Sequence, residues 1–235
     1  RDDNGCTFTL PGTITVTPGV SIQPVADIVE SCTANVPGTT VTINVNAAVE
    51  SAVLYALDAD VPANYQASNV FSFTSAEAGQ HTVYVKHNNG CTSQVDFTIS
   101  NLVAISGTAT ATADVQCFGD NTGEITITMT GGTGALEYAM APLFTYQSSN
   151  IFDALAAGTY DFKVRDAIGC EFDIAGVVVD GPLAALTADV DKADEQCLNA
   201  DDGAIIISNI TGGTAPYQTR ISPTMAFANQ TDYNN

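Results

Sequence analysis

The residues of this 235-residue chain with any capacity for chemistry are six cysteines, two histidines and a scatter of acids. A zinc hydrolase would need its histidines at helical spacing, as in H-E-x-x-H. His81 and His87 stand in no such motif. No G-x-S-x-G elbow and no P-loop occurs either. Glycoside cleavage takes two acids held on opposite sides of a sugar bond. The acid pairs here, Asp189 with Asp191, Asp194 with Glu195, and Asp201 with Asp202, fall in turn-type sequence. Acids beside Gly123 and Gly203 suit Asx turns. Calcium needs six to eight oxygens, and no EF-hand ladder supplies them. Asp120 and the pair Asp201-Asp202 are the places where calcium would bind, and no other cofactor is indicated. The expectation is a protein without an active site.

Composition narrows the partners. Six basic residues face 26 acidic ones, a net charge of −20, although charged residues make up only 14 % of the chain. Nucleic acid is a poor partner, because phosphate binding draws on clustered Lys and Arg. Anionic lipid is disfavoured for the same reason. An acidic surface keeps copies of a long protein apart and soluble. At 45 % hydrophobic residues a sizeable core can still be buried. Thr, Val, Ala and Ile dominate, a strand-forming composition. No sustained helical period and no run long enough for a membrane span is present.

Self-similarity organises the chain. YQASNVF at 65–71 returns as YQSSNIF at 146–152. RDDNGCTF at 1–8 returns as KHNNGC at 86–91 and RDAIGCEF at 165–172. Cys32, Cys117 and Cys197 each precede a glycine by six residues, namely Gly38, Gly123 and Gly203. The period is about 80 residues. Residues 1–19 then read as the last hairpin of a preceding module, 20–101 and 102–182 as whole modules, and 183–235 as the front of another. The pattern breaks off partway through a period, as a segment of a longer protein would. Short turn-type joints, not Gly/Ser tethers, predict restricted angles between neighbours.

Within 102–182 the strands announce themselves. Ile125, Ile127 and Met129 alternate, as do Leu136, Tyr138 and Met140, and Phe162 and Val164 alternate with Asp161, Lys163 and Arg165. Gly131-Gly132-Thr133-Gly134 and Gly212-Gly213-Thr214 recur at one repeat position, which favours hairpin turns over phosphate cradles. About seven strands are predicted per period, an immunoglobulin-like sandwich. Leu155, Gly158 and Tyr160 form L-x-x-G-x-Y, a tyrosine corner in which the hydroxyl bonds back to the backbone. His81 stands where the first module would have its tyrosine, and a similar bond is expected of it. His87 reads as an exposed turn residue. Tyr65 and Tyr146 have the character of sugar-stacking aromatics, but their place beside Phe71 and Phe152 favours a packing role.

No C-x-x-C pair occurs, which argues against a zinc cluster or a redox motif. Each whole module holds two cysteines, one before its first alternating strand and one at the head of its last hairpin. The expected bonds are Cys32–Cys91 and Cys117–Cys170, with Cys6 and Cys197 unpaired because the segment cuts their modules. Such bonds require an oxidising compartment. The alternative is buried free thiols.

Residues 117–170, CFGDNTGEITI…TGGT…LAAGTYDFKVRDAIGC, resemble the SprB-type repeat of giant gliding-motility adhesins of Bacteroidetes. Residues 197–217 repeat the front half of that pattern and 1–8 its last hairpin, while 20–101 lacks the GGT turn and looks divergent. The resemblance implies an extracellular, cell-surface protein exported by the type IX system. Its partners would be polysaccharide or solid surfaces, neighbouring modules, and the outer-membrane gliding and secretion machinery through regions outside these residues. It implies no catalytic residues. A spacer or carbohydrate-binding array of a secreted hydrolase is the alternative, and a filament subunit assembling by strand exchange is a third reading.

Overall fold

A computed structural model describes residues 3, 19, 21–46, 50–197, 203–220 and, for the backbone, 232–234. Cys6, the hairpin expected over 1–19 and the acid pair Asp201-Asp202 lie outside the described residues. Two compact units divide the chain: Arg1–Ser31 with Gly38–Leu102, and Cys32–Pro37 with Val103–Asn235. The described residues form strands and short 3-10 turns. None of their helices is long and apolar enough to cross a membrane.

The first unit is a sandwich of two three-stranded antiparallel sheets. Its strands are β1 (Val25–Thr33), β2 (Val36–Asn44), β3 (Val53–Leu57), β4 (Val70–Thr74), β5 (Gly79–His87) and β6 (Thr92–Ile99). One sheet runs β1-β2-β4 and the other β3-β5-β6. Strict alternation turns Val41 and Ile43 of β2, Phe73 of β4, and Val83 and Val85 of β5 into the space between the sheets. All but Phe73 of those five are fully shielded from water. Burying a side chain of that size stabilises by about 1.5–3 kcal/mol, so a handful of inward positions fixes the register.

The second unit repeats the plan with β7 (Ser106–Ala113), β8 (Gly123–Thr130), β9 (Glu137–Met140), β10 (Ile151–Leu155), β11 (Gly158–Arg165) and β12 (Glu171–Val179). Here the sheets run β10-β8-β7 and β12-β11-β9. Ile125, Ile127, Phe162, Val164 and Val179 are its buried residues at the positions of Val41, Ile43, Val83, Val85 and Ile99. Residues 183–235 add a further antiparallel sheet, β13 (Thr187–Ala193), β14 (Ala204–Thr211) and β15 (Asp232–Asn234), in that order.

The fold is all-β with immunoglobulin-like sheets, but each sandwich has six strands where about seven are predicted. The count is six because a single strand, β12, runs from Glu171 through to Val179. Gly176 makes this possible. It takes φ +74° opposite Asp161, whose Oδ1 accepts its N–H at 2.8 Å, and the register with β11 slips there as a bulge. Gly176 thus bends one strand without ending it.

Candidate functional site

The covalent feature of the structure is a disulfide between Cys32 and Cys170, with Cα atoms 5.1 Å apart. Both residues belong to the second unit, which takes in the tip of the β1–β2 hairpin. Ala34 and Asn35 form that tip with φ of 51° and 61°. A two-residue turn with both residues left-handed matches the twist of the strands on either side. Asn35 also anchors it, since its Oδ1 accepts the Glu171 N–H at 3.1 Å. Cys170 heads β12 and is almost fully buried. Asp166, itself only 5 % exposed, shapes the turn beneath it. Its Oδ1 accepts the N–H groups of Ile168 and Cys170 at 3.1 and 2.8 Å, and its Oδ2 accepts that of Thr133 at 2.9 Å.

This corrects the expected pairing of Cys32 with Cys91 and of Cys117 with Cys170. Cys91 and Cys117 are free thiols, as is Cys197. The reason is where strand ends fall. Cys117 lies between β7 and β8, near the end of β12, where the Val115 N–H donates to the Asp180 carbonyl at 2.8 Å. Cys170 precedes the start of β12, at the far end of the sandwich. A strand of nine residues spans roughly 30 Å, whereas a disulfide needs Cα atoms within about 7 Å. The first sandwich has the same geometry. The β1–β2 turn stands at the end where β4 finishes and Gly79 of β5 pairs with Ile99, and Cys91 stands between His87 and Thr92 at the other.

Neither tyrosine at the recurrent YQxSN segment is an open sugar platform. Both are half-buried. The Arg165 guanidinium covers one face of Tyr146 at 3.8 Å, and the Lys86 ammonium stands 5.7 Å from the Tyr65 ring centre. Their hydroxyls donate to carboxylates, Tyr146 to Glu171 at 3.1 Å and Tyr65 to Asp60 at 2.7 Å. Burial, helped by the Asp60 bond, pushes the Tyr65 phenol up to about 12. Lys163 pairs with Asp173 at 2.8 Å and with Glu171 at 3.0 Å. Those carboxylates raise the Lys163 ammonium, and Lys163 lowers the Glu171 carboxyl.

The rest of the YQxSN segment ties the two sheets together. Gln147 exchanges backbone hydrogen bonds with Tyr138 of β9, and Asn150 accepts the Ile127 N–H of β8 while its Nδ2 donates back to the Ile127 carbonyl at 2.8 Å. Gln66 with Tyr55, and Asn69 with Ile43, repeat every one of these contacts in the first unit. The motif is a strap from one sheet to the other. Its recurrence was visible in the sequence; its task was not.

The corner residues behave as their repeat positions predict. The Tyr160 hydroxyl donates to the Ala156 carbonyl at 2.9 Å, four residues back. His81 reaches the Glu77 carbonyl, also four residues back, from Nε2 at 2.7 Å. Its Nδ1 meets Asp58 Oδ2 at 2.8 Å, and its ring lies against Phe73 and Phe97. The Glu77 and Asp58 bonds raise the His81 pKa above its ordinary value.

The remaining candidate residues are structural in their contacts. His87, expected as an exposed turn residue, is the half-buried last residue of β5 opposite Val53, and its Nδ1 accepts the Asn89 N–H at 3.2 Å. Asp120 donates its N–H to the Cys117 carbonyl. Asp189 and Asp191, expected in a turn, stand in strand β13 instead; Asp189 accepts from Asn209 at 2.8 Å, and Asp194 just past the strand pairs with Lys192 at 2.9 Å. Gly131 and Gly132 form a turn against which residues 103–104 lie, with the Gly132 N–H on the Val103 carbonyl at 2.9 Å. Gly212 and Gly213 do the same with Ala184 and Ala185.

No curated protein matches the chain. Among solved structures it is similar to the C-terminal 282-residue fragment of intimin, crystallised with the intimin-binding domain of the translocated intimin receptor. That likeness has 16 % identity and a TM-score of 0.36, and covers 67 % of this chain and 64 % of the fragment. Residues 109–150, from β7 across β8 and β9 to the strap at Asn150, match the SprB repeat, and the chain carries a repeat of that type.

Proposed function

We propose that this chain is a non-catalytic repeat segment of a large cell-surface adhesin, acting as an extended, disulfide-bonded stalk for attachment and gliding. The observation that carries the reading is the SprB-type repeat at 109–150 on a sandwich held by a disulfide. A structural disulfide belongs to an oxidising compartment, which supports export to the cell exterior. The type of repeat supports type IX export and delivery to the gliding machinery through other regions of the protein. Polysaccharide or solid surfaces are the partners this role requires. His81, His87, Tyr65, Tyr146 and Asp166 are engaged with backbone or neighbouring side chains, which supports a mechanical role over a chemical one.

The test is made on cells. Protease added to intact cells should remove these residues from the surface, and disruption of the gene should abolish attachment to glass or polysaccharide and colony spreading. Unchanged attachment and spreading, or residues shielded from external protease, would overturn the proposal. A catalytic domain in the same reading frame would reassign the chain as the spacer of a secreted hydrolase.

A further inference from the structure

We infer that cysteine pairing follows one rule along the chain: the cysteine ahead of a repeat's second strand bonds the last-hairpin cysteine of the repeat that follows. Cys32–Cys170 is the first example. Under this rule Cys117 is the donor to the following repeat, and Cys91 is the acceptor for a donor in the preceding one. The inference rests on reading the chain as part of a longer repeat array, and it adds which thiols join which.

Three observations carry it. Cys117 has the sequence position of Cys32, six residues before a glycine that opens the second strand of its repeat. Its thiol is exposed, and the end-to-end geometry of the sandwich puts Cys170 out of its reach. Cys91 stands in the same turn as Cys170, bond for bond. The His87 N–H donates to the Cys91 carbonyl at 2.8 Å, as the Asp166 N–H does to Cys170 at 3.0 Å. The Gly90 N–H donates to His87 at 2.9 Å, as Gly169 does to Asp166 at 3.2 Å, and the two glycines have φ of 91° and 89°. Each Cys N–H is held by a side-chain oxygen, Asn89 Oδ1 at 3.0 Å in one case and Asp166 Oδ1 at 2.8 Å in the other. Apart from the residue that supplies that oxygen, the difference is the bond itself. Cys170 is buried under its partner, and Cys91 is half-open. Formation is thiol–disulfide exchange. The two thiols become one disulfide while an oxidised dithiol catalyst takes up their two electrons and two protons and leaves as a dithiol.

The experiment uses the natural protein from the cell surface, alkylated under acid without reduction, digested, and searched for cross-linked peptides. The expected products are Cys32 with Cys170, Cys117 with a last-hairpin cysteine of the next repeat, and Cys91 with a donor cysteine of the repeat before. Cys117 or Cys91 recovered alkylated, or linked within its own repeat, overturns the rule. The Cys170→Ser variant separates the two schemes independently. Cys32 should become open to alkylation while Cys117 stays protected, whereas pairing inside the repeat would free Cys117. Cross-links of the expected kind in a protein whose loss leaves attachment unchanged would keep the rule and remove the adhesin reading.

Discussion

Position 81 holds a histidine where the second sandwich has Tyr160, and the exchange turns a neutral corner into a titrating one. Both ring nitrogens of His81 face acceptors, the Asp58 carboxylate and the Glu77 carbonyl. Only the protonated ring donates to both, so folding binds the proton and the pKa rises. A group raised on folding contributes stability that is fully present below its unfolded value, near 6.5, and lost as pH climbs through the higher folded value. The melting temperature of the first unit should fall across that interval. His81→Tyr, which restores the bond of Tyr160, should flatten the dependence, and an unchanged slope would show that His81 is not its source. Asp166 makes a different kind of residue-scale prediction. It alone satisfies three N–H groups in and beside the Cys170 turn, so Asp166→Ala should cost at least about 3 kcal/mol in denaturant unfolding. Asp166→Asn, which keeps one acceptor oxygen, should lose less.

Elements in this fold are placed by where backbone approaches backbone, and the glycines mark those places. A Cβ on Gly131 would lie 2.2 Å from the Ala104 carbonyl oxygen, at a φ of +71°. Gly176 has nearly the same φ, +74°, with nothing within 4 Å. The pair separates strain from collision. Gly176→Ala should cost about 1 kcal/mol, the left-handed penalty alone, whereas Gly131→Ala should cost at least about twice that because the segment at Val103 and Ala104 must move. Equal losses by thermal unfolding would remove the collision argument. Much of this level was legible from sequence. Period-two alternation located β8 and β11 and their inward residues, and L-x-x-G-x-Y located the corner. What escaped depended on tertiary placement. The bend at Gly176 escaped because sequence does not show that Asp161 receives its N–H across a bulge. The YQxSN segment read as a repeat marker because its partners Ile127 and Tyr138 lie in different sheets. The cysteine partners escaped because equal spacing says nothing about which end of a sandwich a residue occupies.

At the scale of the molecule, the bond separates what force can lengthen from what it cannot. Cys32 and Cys170 are 138 residues apart in sequence. Tension applied at the two termini passes through the disulfide, so the residues between its sulfurs carry none while it is intact. A fully extended chain spans about 3.5 Å per residue, so the bond withholds roughly 480 Å of length for its 138 residues. Single-molecule stretching of the oxidised chain should therefore stop short of the full contour by that amount. Adding a reductant at constant force should start its release, and the strand ladders shielded between the sulfurs then unfold under load. The same closure limits the unfolded ensemble, by about 5 kcal/mol in the chain-entropy treatment. Cys32→Ser should thus lower the melting temperature of the second unit as well as remove that release. An acidic chain with a net charge of −20 gains little from self-association while it is extended, so the measurement can be made on single copies. A release step that survives Cys32→Ser, or a full-length extension without reductant, would mean that force does not run through this bond and that the chain yields by unfolding alone.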